Sequence, residues 1–166
     1  VRNTQSRWSN QLKKWLNNIS GADKIGVAVT TWEIAAYLTL IVLGGVMRLW
    51  DLGDQAIHHD ESLHALYAWR LYAGEGYMHD PMMHGPFQFH GMALMFFLFG
   101  DSDYTARLLP ALFGIALIVL PFCFRWKLGQ KGAIFASTFI MISPSLLYYS
   151  RFARNDILIA VWTLAL

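Results

Sequence analysis

The side chains best suited to chemistry are concentrated in one polar stretch. All six histidines lie between His58 and His90, and Asp60, Glu61 and Asp80 stand among them. Carboxylates and imidazoles held close together can exchange protons with a substrate or bind a metal ion. Burying such groups in hydrocarbon without partners is costly, and long apolar segments flank this stretch. We therefore expect it to line a wet cavity or a reaction site beside a membrane.

The segment HHDESLH carries the first candidate acids. If Asp60 begins a helix, His64 lies four residues on and on the same face. One interpretation makes Asp60 a general base. The alternative makes Asp60 only the N-cap of the helix, a position that Asp often occupies.

A second cluster, MHDPMMHGP, supplies the candidate metal ligands His79, Asp80 and His84. Imidazole and carboxylate suit a divalent metal such as Mg, Mn or Zn, whereas the neighbouring methionines would suit Cu(I). The spacing matches no strong zinc motif. A loop packed by methionines, with hydrogen-bonded histidines, is the alternative.

A third cluster lies near the end of the chain. Asp156 follows Arg151 and Arg154 at the border of an apolar segment. Arginine binds phosphate in a fork geometry, and a nearby carboxylate can orient it. The pattern predicts a lipid-phosphate or pyrophosphate site with a second acid, Asp156, nearby. An interfacial salt-bridge cluster is the alternative, and Arg107 is interpreted as a topology or packing charge.

The composition indicates an integral membrane protein. Hydrophobic residues make up 55% of the chain, and the mean hydropathy is positive. The predicted fold is all-α, with spans at about 31–50, 104–124, 133–149 and 157–166, the last of them incomplete. Residues 1–30 form a basic, amphipathic segment, and their lysines and arginines indicate a cytoplasmic amino terminus and no nucleic-acid partner. The abrupt apolar end predicts a fragment of a longer polypeptide.

The segment 86–99 decides the topology. It is apolar, but its fourteen residues are short of the roughly 20 that a spanning helix needs. If this segment does not span, Arg125, Lys127 and Lys131 become cytoplasmic, as the positive-inside rule favours. Residues 51–103 then form an outer loop with interfacial helices, and Asp156 comes to the same outer face as Asp60.

The order of these motifs resembles the GT-C membrane glycosyltransferases. An Asp-Glu pair before a helix is followed by a Pro-rich aromatic segment and then by LFG, ARLLPALFG and SPSLLYYSRFARND. The nearest branch is the protein O-mannosyltransferase-like and aminoarabinose-transferase-like group, with its bacterial and archaeal flippase-associated family. The resemblance covers residues 45–166. It departs from the family where His84-Gly-Pro replaces a Glu-Lys-Pro-Pro-like motif.

The resemblance implies transfer of a sugar from a polyprenyl-phosphate donor to an acceptor on the outer face of the cell (inner) membrane. Asp60 matches the first-loop acid that activates the acceptor or binds a metal, Glu61 completes the pair, and Asp156 matches the acid of the second outer loop. Membrane lipid and the lipid-linked sugar are the expected partners. Two further hypotheses stay open: a non-catalytic transmembrane subunit with membrane-protein partners, and a Met/His metal-binding module.

Overall fold

A computed structural model describes residues 2–21, 28–76 and 85–166. Within these ranges the chain is helical and contains no strand, so the all-α prediction is confirmed. The helices are α1 (Arg2–Ile19), α2 (Thr31–Leu49), α3 (His59–Tyr72), α4 (Pro86–Phe99), α5 (Asp103–Val119), a 3₁₀ turn (Leu120–Phe124), α6 (Arg125–Ile142), α7 (Pro144–Ser150) and α8 (Asp156–Ala165).

Two stretches of the described chain are long and apolar enough to cross a membrane, Thr31–Leu49 and Asp103–Ile142. The second is not one straight helix. It passes through the 3₁₀ turn and then bends at Gly129, whose φ of 71° and ψ of 166° lie outside the helical region. A positive φ of this size favours glycine, which has no Cβ to clash with the backbone.

Contacts with α2 show that α5 and α6 run in opposite directions. Gly53 lies against Tyr104 and Gly44 against Ile118, so α5 runs antiparallel to α2. The next helix runs the other way, because the side chain of Gln130 donates to Glu33 (2.9 Å) and Ser137 lies beside Tyr37 (3.4 Å). Helices α5 and α6 therefore form a hairpin. Its tip, residues 120–131, lies at the end of the bundle where α2 begins.

A buried ion pair fixes this end of the bundle. Glu33 and Arg125 are fully buried and bonded to each other, and Arg125 Nη2 also donates to the carbonyl of Ala28 (3.2 Å). Removing either residue would leave the other charge buried and uncompensated, which is strongly destabilising. The tip is thereby held against the first turn of α2.

A buried arginine joins α2 to the far end of α6. Pro144 has no N–H, so it cannot donate to the carbonyl of Ile140 four residues earlier. Arg48 donates to that carbonyl through Nη2 (3.5 Å) and to the carbonyl of Gly44 through Nη1 (3.3 Å). Gly114 makes room for it, since a Cβ there would lie 2.9 Å from Arg48 Nε.

Helix α4 packs on α3 and α5 without matching the length of α5. Gly91 lies against Leu109, and Phe87 contacts Phe113 edge-on. The two helices are therefore antiparallel, and α4 covers only the part of α5 that is nearest Asp103. The number of membrane crossings and their orientation stay predictions. What the fold does establish is that the α5 start, the 51–58 loop and the 151–155 segment meet at one end.

Candidate functional site

The centre of this end is a buried pair between Glu61 and Arg107, whose side chains are only 1% and 4% exposed. Arg107 Nε donates to Glu61 Oε1 (2.9 Å) and Arg107 Nη2 donates to Glu61 Oε2 (2.8 Å). The remaining N–H groups donate to the carbonyls of Leu52, Gln55 and Ala56. A guanidinium has five donors, and all of them are used here.

Glu61 also holds two other segments of the chain. Its Oε2 accepts from the backbone N–H of His58 (3.0 Å), at the start of α3. Its Oε1 accepts from the backbone N–H of Ala153 (2.8 Å), in the segment between α7 and α8. One carboxylate therefore joins α3, α5 and the 151–155 segment. It therefore fixes the positions of these three segments relative to one another.

The hydrogen bonds also determine the ionisation of Glu61. Burial raises the pKa of Glu61, but the bonds from Arg107, Ala153 and His58 favour the carboxylate and lower the pKa below its ordinary value. The folded protein therefore binds the proton less readily than the unfolded chain does. The stabilisation is complete above the unfolded pKa and is lost as the pH falls through the folded pKa.

We therefore expect the thermal midpoint of the detergent-solubilised protein to fall as the pH is lowered below about 4.5, the ordinary value for this side chain. In Glu61→Gln this part of the pH dependence is expected to disappear, because the amide does not titrate in this range. Parallel melting curves across pH 3 to 7 would measure the difference between the two proteins. If the thermal midpoints of wild type and variant changed equally with pH, this pH dependence would not come from Glu61.

Beside this buried pair, a single arginine joins the two candidate acids. Arg154 Nη1 lies 3.3 Å from Asp60 Oδ2, and Arg154 Nε lies 3.4 Å from Asp156 Oδ2. The contact to Asp60 is a hydrogen bond, whereas Asp156 Oδ2 is inaccessible and lacks hydrogen-bond geometry. The side chains of Asp60 and Asp156 are 50% and 41% exposed. Two partly accessible carboxylates therefore share one cation, and the cluster has a formal charge of −1.

Arg151, which immediately precedes Phe152 in the chain, caps the carboxyl end of α2. Its Nη1 donates to the carbonyls of Met47 (2.9 Å) and Trp50 (2.7 Å), and its Nη2 donates to that of Asp51 (3.2 Å). A cation at the carboxyl end of a helix satisfies carbonyls that have no partner within the helix. These bonds use three of its five donors, and among the described residues the other two N–H groups have no partner, so a ligand could use them.

A cavity of about 610 Å³ opens at this end, and its lining includes His58, His59, Glu61, Arg107, Tyr148, Arg151 and Phe152. Phe152 stacks on Tyr148, with ring centroids 5.4 Å apart, and also contacts the ring of His58 at 5.7 Å. Asp60 lies between two lining residues in sequence. The cavity thus combines an aromatic wall, a guanidinium with spare donors and a nearby carboxylate.

The structure brings some of the predicted site residues together. Asp60, Asp156 and Arg154 form one cluster, and Arg151 and Glu61 line the adjoining cavity. The candidate metal ligands His79, Asp80 and His84 lie outside the described residues. Within the described ranges no group of three or more His, Cys, Asp or Glu side chains could hold a metal ion.

Arg107 was the residue whose partner the sequence did not reveal. It is a packing charge, as expected, but its partner Glu61 lies 46 positions away in the chain. The available signal was a single arginine in the apolar segment ARLLPALFG, since such a charge needs a partner when it is buried. The sequence around it contains several acids and does not distinguish among them.

The sequence matches the model of a known protein family. The sequence model of dolichyl-phosphate-mannose-protein mannosyltransferase matches residues 54–165, which is more than half of the chain. The matched region contains Asp60, Glu61, Arg107, Arg154 and Asp156. No curated protein matches significantly, and neither does any solved structure.

Proposed function

Because the chain belongs to the dolichyl-phosphate-mannose-protein mannosyltransferase family, we propose that it forms part of the active site of a membrane glycosyltransferase. The donor is a polyprenyl-phosphate sugar, and the acceptor is a hydroxyl group on the outer face of the membrane. The observation that carries the proposal is the pair of acids joined by Arg154 beside the 610 Å³ cavity.

Asp60 is assigned the role of general base. Its carboxylate takes the proton of the acceptor hydroxyl while the hydroxyl oxygen attacks the anomeric carbon of the sugar. The bond from that carbon to the phosphate oxygen breaks, and polyprenyl phosphate leaves with the electron pair. The configuration at the carbon is inverted. Asp60 suits this step because it is half exposed and Arg154 holds it in place.

The negative charge that develops on the phosphate needs donors in fixed positions. Arg151 is the better candidate of the two predicted phosphate ligands, because it lines the cavity and keeps two N–H groups. Arg154 already faces two carboxylates, so we assign it the role of positioning Asp60 and Asp156. A divalent ion at the His79, Asp80 and His84 tract stays a prediction.

The proposal is tested by the choice of donor. Membranes that contain the full-length gene product are incubated with radiolabelled mannose, supplied either on polyprenyl phosphate or as a nucleotide sugar. We expect transfer from the lipid-linked donor alone. In sealed vesicles we expect transfer to an impermeant acceptor only when the vesicles expose the membrane face that lay outside the cell.

Direct use of the nucleotide sugar would contradict the donor class. A stable protein that transfers from neither donor, and that co-purifies with membrane partners, would favour the non-catalytic subunit instead.

A further inference from the structure

The end of the bundle opposite the candidate site carries an excess of exposed positive charge. Lys127 and Lys131 are exposed at the hairpin tip, and Lys13 and Lys14 are exposed on α1. In the described ranges 8–21, 28–36 and 120–134 the only acidic residue is Glu33. That carboxylate is buried against Arg125 and offers no charge to the surface.

Helix α1 adds an apolar stripe to this basic surface. Trp8, Leu12, Trp15 and Ile19 recur at intervals of four, three and four residues, which places them on one face of the helix. Their exposed fractions are 71%, 54%, 59% and 38%. Lysines next to an exposed stripe that contains tryptophan are typical of a helix lying in the headgroup region of a membrane.

The stripe is held in a fixed position relative to the bundle. Asn17 Oδ1 accepts from the backbone N–H of Val29 (2.7 Å), just before α2 begins. Leu16 packs on the apolar cluster around Tyr37, and Gly21 lies so close to Trp126 that a Cβ would come within 2.8 Å of that ring. Because the helix is attached at its carboxyl end, its lysines belong to the same end of the bundle as those of the tip.

An apolar cavity adjoins the same surface. It measures about 150 Å³ and lies between α1 and the two long apolar stretches, with a lining that includes Leu16, Ile34, Tyr37 and Phe122. Nearly all of the surface that it exposes is apolar. Its position next to exposed lysines suits a molecule with a charged head and a hydrocarbon chain.

We propose that α1 and the hairpin tip form a binding surface for anionic phospholipids, in the leaflet opposite the candidate site. The lysines pair with the headgroup phosphates, the stripe lies at the acyl boundary, and part of one acyl chain enters the cavity beside Leu16. The excess of cations decides for an anionic lipid over a neutral one. The proposal stands independently of the glycosyltransferase assignment.

The test measures lipid preference directly. The full-length protein is reconstituted in nanodiscs of phosphatidylcholine, with and without phosphatidylglycerol, and the retained lipids are counted by native mass spectrometry after transfer to detergent. We expect retained phosphatidylglycerol in the wild-type protein. Each basic residue near an anionic surface contributes about fivefold in affinity, so Lys13→Gln combined with Lys14→Gln is expected to weaken retention about 25-fold.

Arg70→Gln is the matched control, because Arg70 is an exposed cation in α3, at the other end of the bundle. It is expected to leave the retention of phosphatidylglycerol unchanged. Unchanged retention in the double lysine variant would overturn the proposal, and so would an equal loss in Arg70→Gln, which would indicate a general effect of net charge. Size-exclusion profiles would show that each variant is folded, and since all three side chains are exposed we expect no loss there.

Discussion

Replacing Asp60 with asparagine is expected to lower the rate of sugar transfer by a factor of about 10² or more, the contribution typical of a general base. The amide keeps the size of the side chain and can still contact Arg154, but it cannot accept the proton of the acceptor hydroxyl. Because Asp60 is half exposed and its only described ionic partner is Arg154, the folded protein should tolerate the change. Transfer from a polyprenyl-phosphate sugar in membranes is the measurement.

The kinetic constants make this prediction sharper. The loss should fall on kcat, while the KM for the lipid-linked donor stays close to that of the wild type, because Asp60 acts on the acceptor and only in the transition state. Asp54→Asn supplies the control, since Asp54 is an exposed acid of the preceding 51–58 loop and loses the same charge. Asp60 would not be the base if both variants kept their activity, or if both lost it equally.

Removing Glu61 is expected to destabilise the protein by about 3–5 kcal/mol, because the change leaves Arg107 buried without its counter-charge. Glu61→Ala also deprives the N–H groups of His58 and Ala153 of their acceptor. The cost therefore includes a charge and two unpaired donors. Unfolding in detergent micelles by heat or denaturant would measure it.

The exposed pair of Arg70 and Glu75 provides the comparison. These side chains are 46% and 56% exposed and 3.6 Å apart, so Glu75→Ala is expected to cost no more than about 1 kcal/mol. Combining Glu61→Leu with Arg107→Leu should recover only part of the loss, since the carbonyls of the 52–56 loop lose their donor too. Equal costs for Glu61→Ala and Glu75→Ala would show that the buried pair does not hold this end together.

The adjacent acids Asp60 and Glu61 show how much of the candidate site could be predicted from the sequence. The Asp-Glu sequence suggested two acids of similar function, but they have different surroundings. Asp60 is half exposed, whereas Glu61 points into the bundle and binds Arg107. Adjacent residues at the start of a helix point in directions about 100° apart, and only the packing of α5 determined which of them is buried. For Glu61 we therefore propose a positioning role in place of direct chemistry.

The arginines show the same limit. Sequence reasoning placed Arg151 and Arg154 together as phosphate ligands, because both precede Asp156 by a few residues. In the structure Arg151 caps α2, and Arg154 joins Asp60 to Asp156. A side chain six or seven bonds long has many possible partners nearby, and the neighbouring helices select among them.

The sequence by itself determined the class of the protein, its all-helical fold and its family. These properties depend on composition, on the length of apolar runs and on the order of short motifs, all of which are local. Only the tertiary structure decided that the chain reverses between α5 and α6, that Glu61 is buried with Arg107, and that Arg154 lies between two acids separated by 96 positions. Such pairings are set by which surfaces meet when the helices pack, because a buried charge takes the partner that this packing brings within reach.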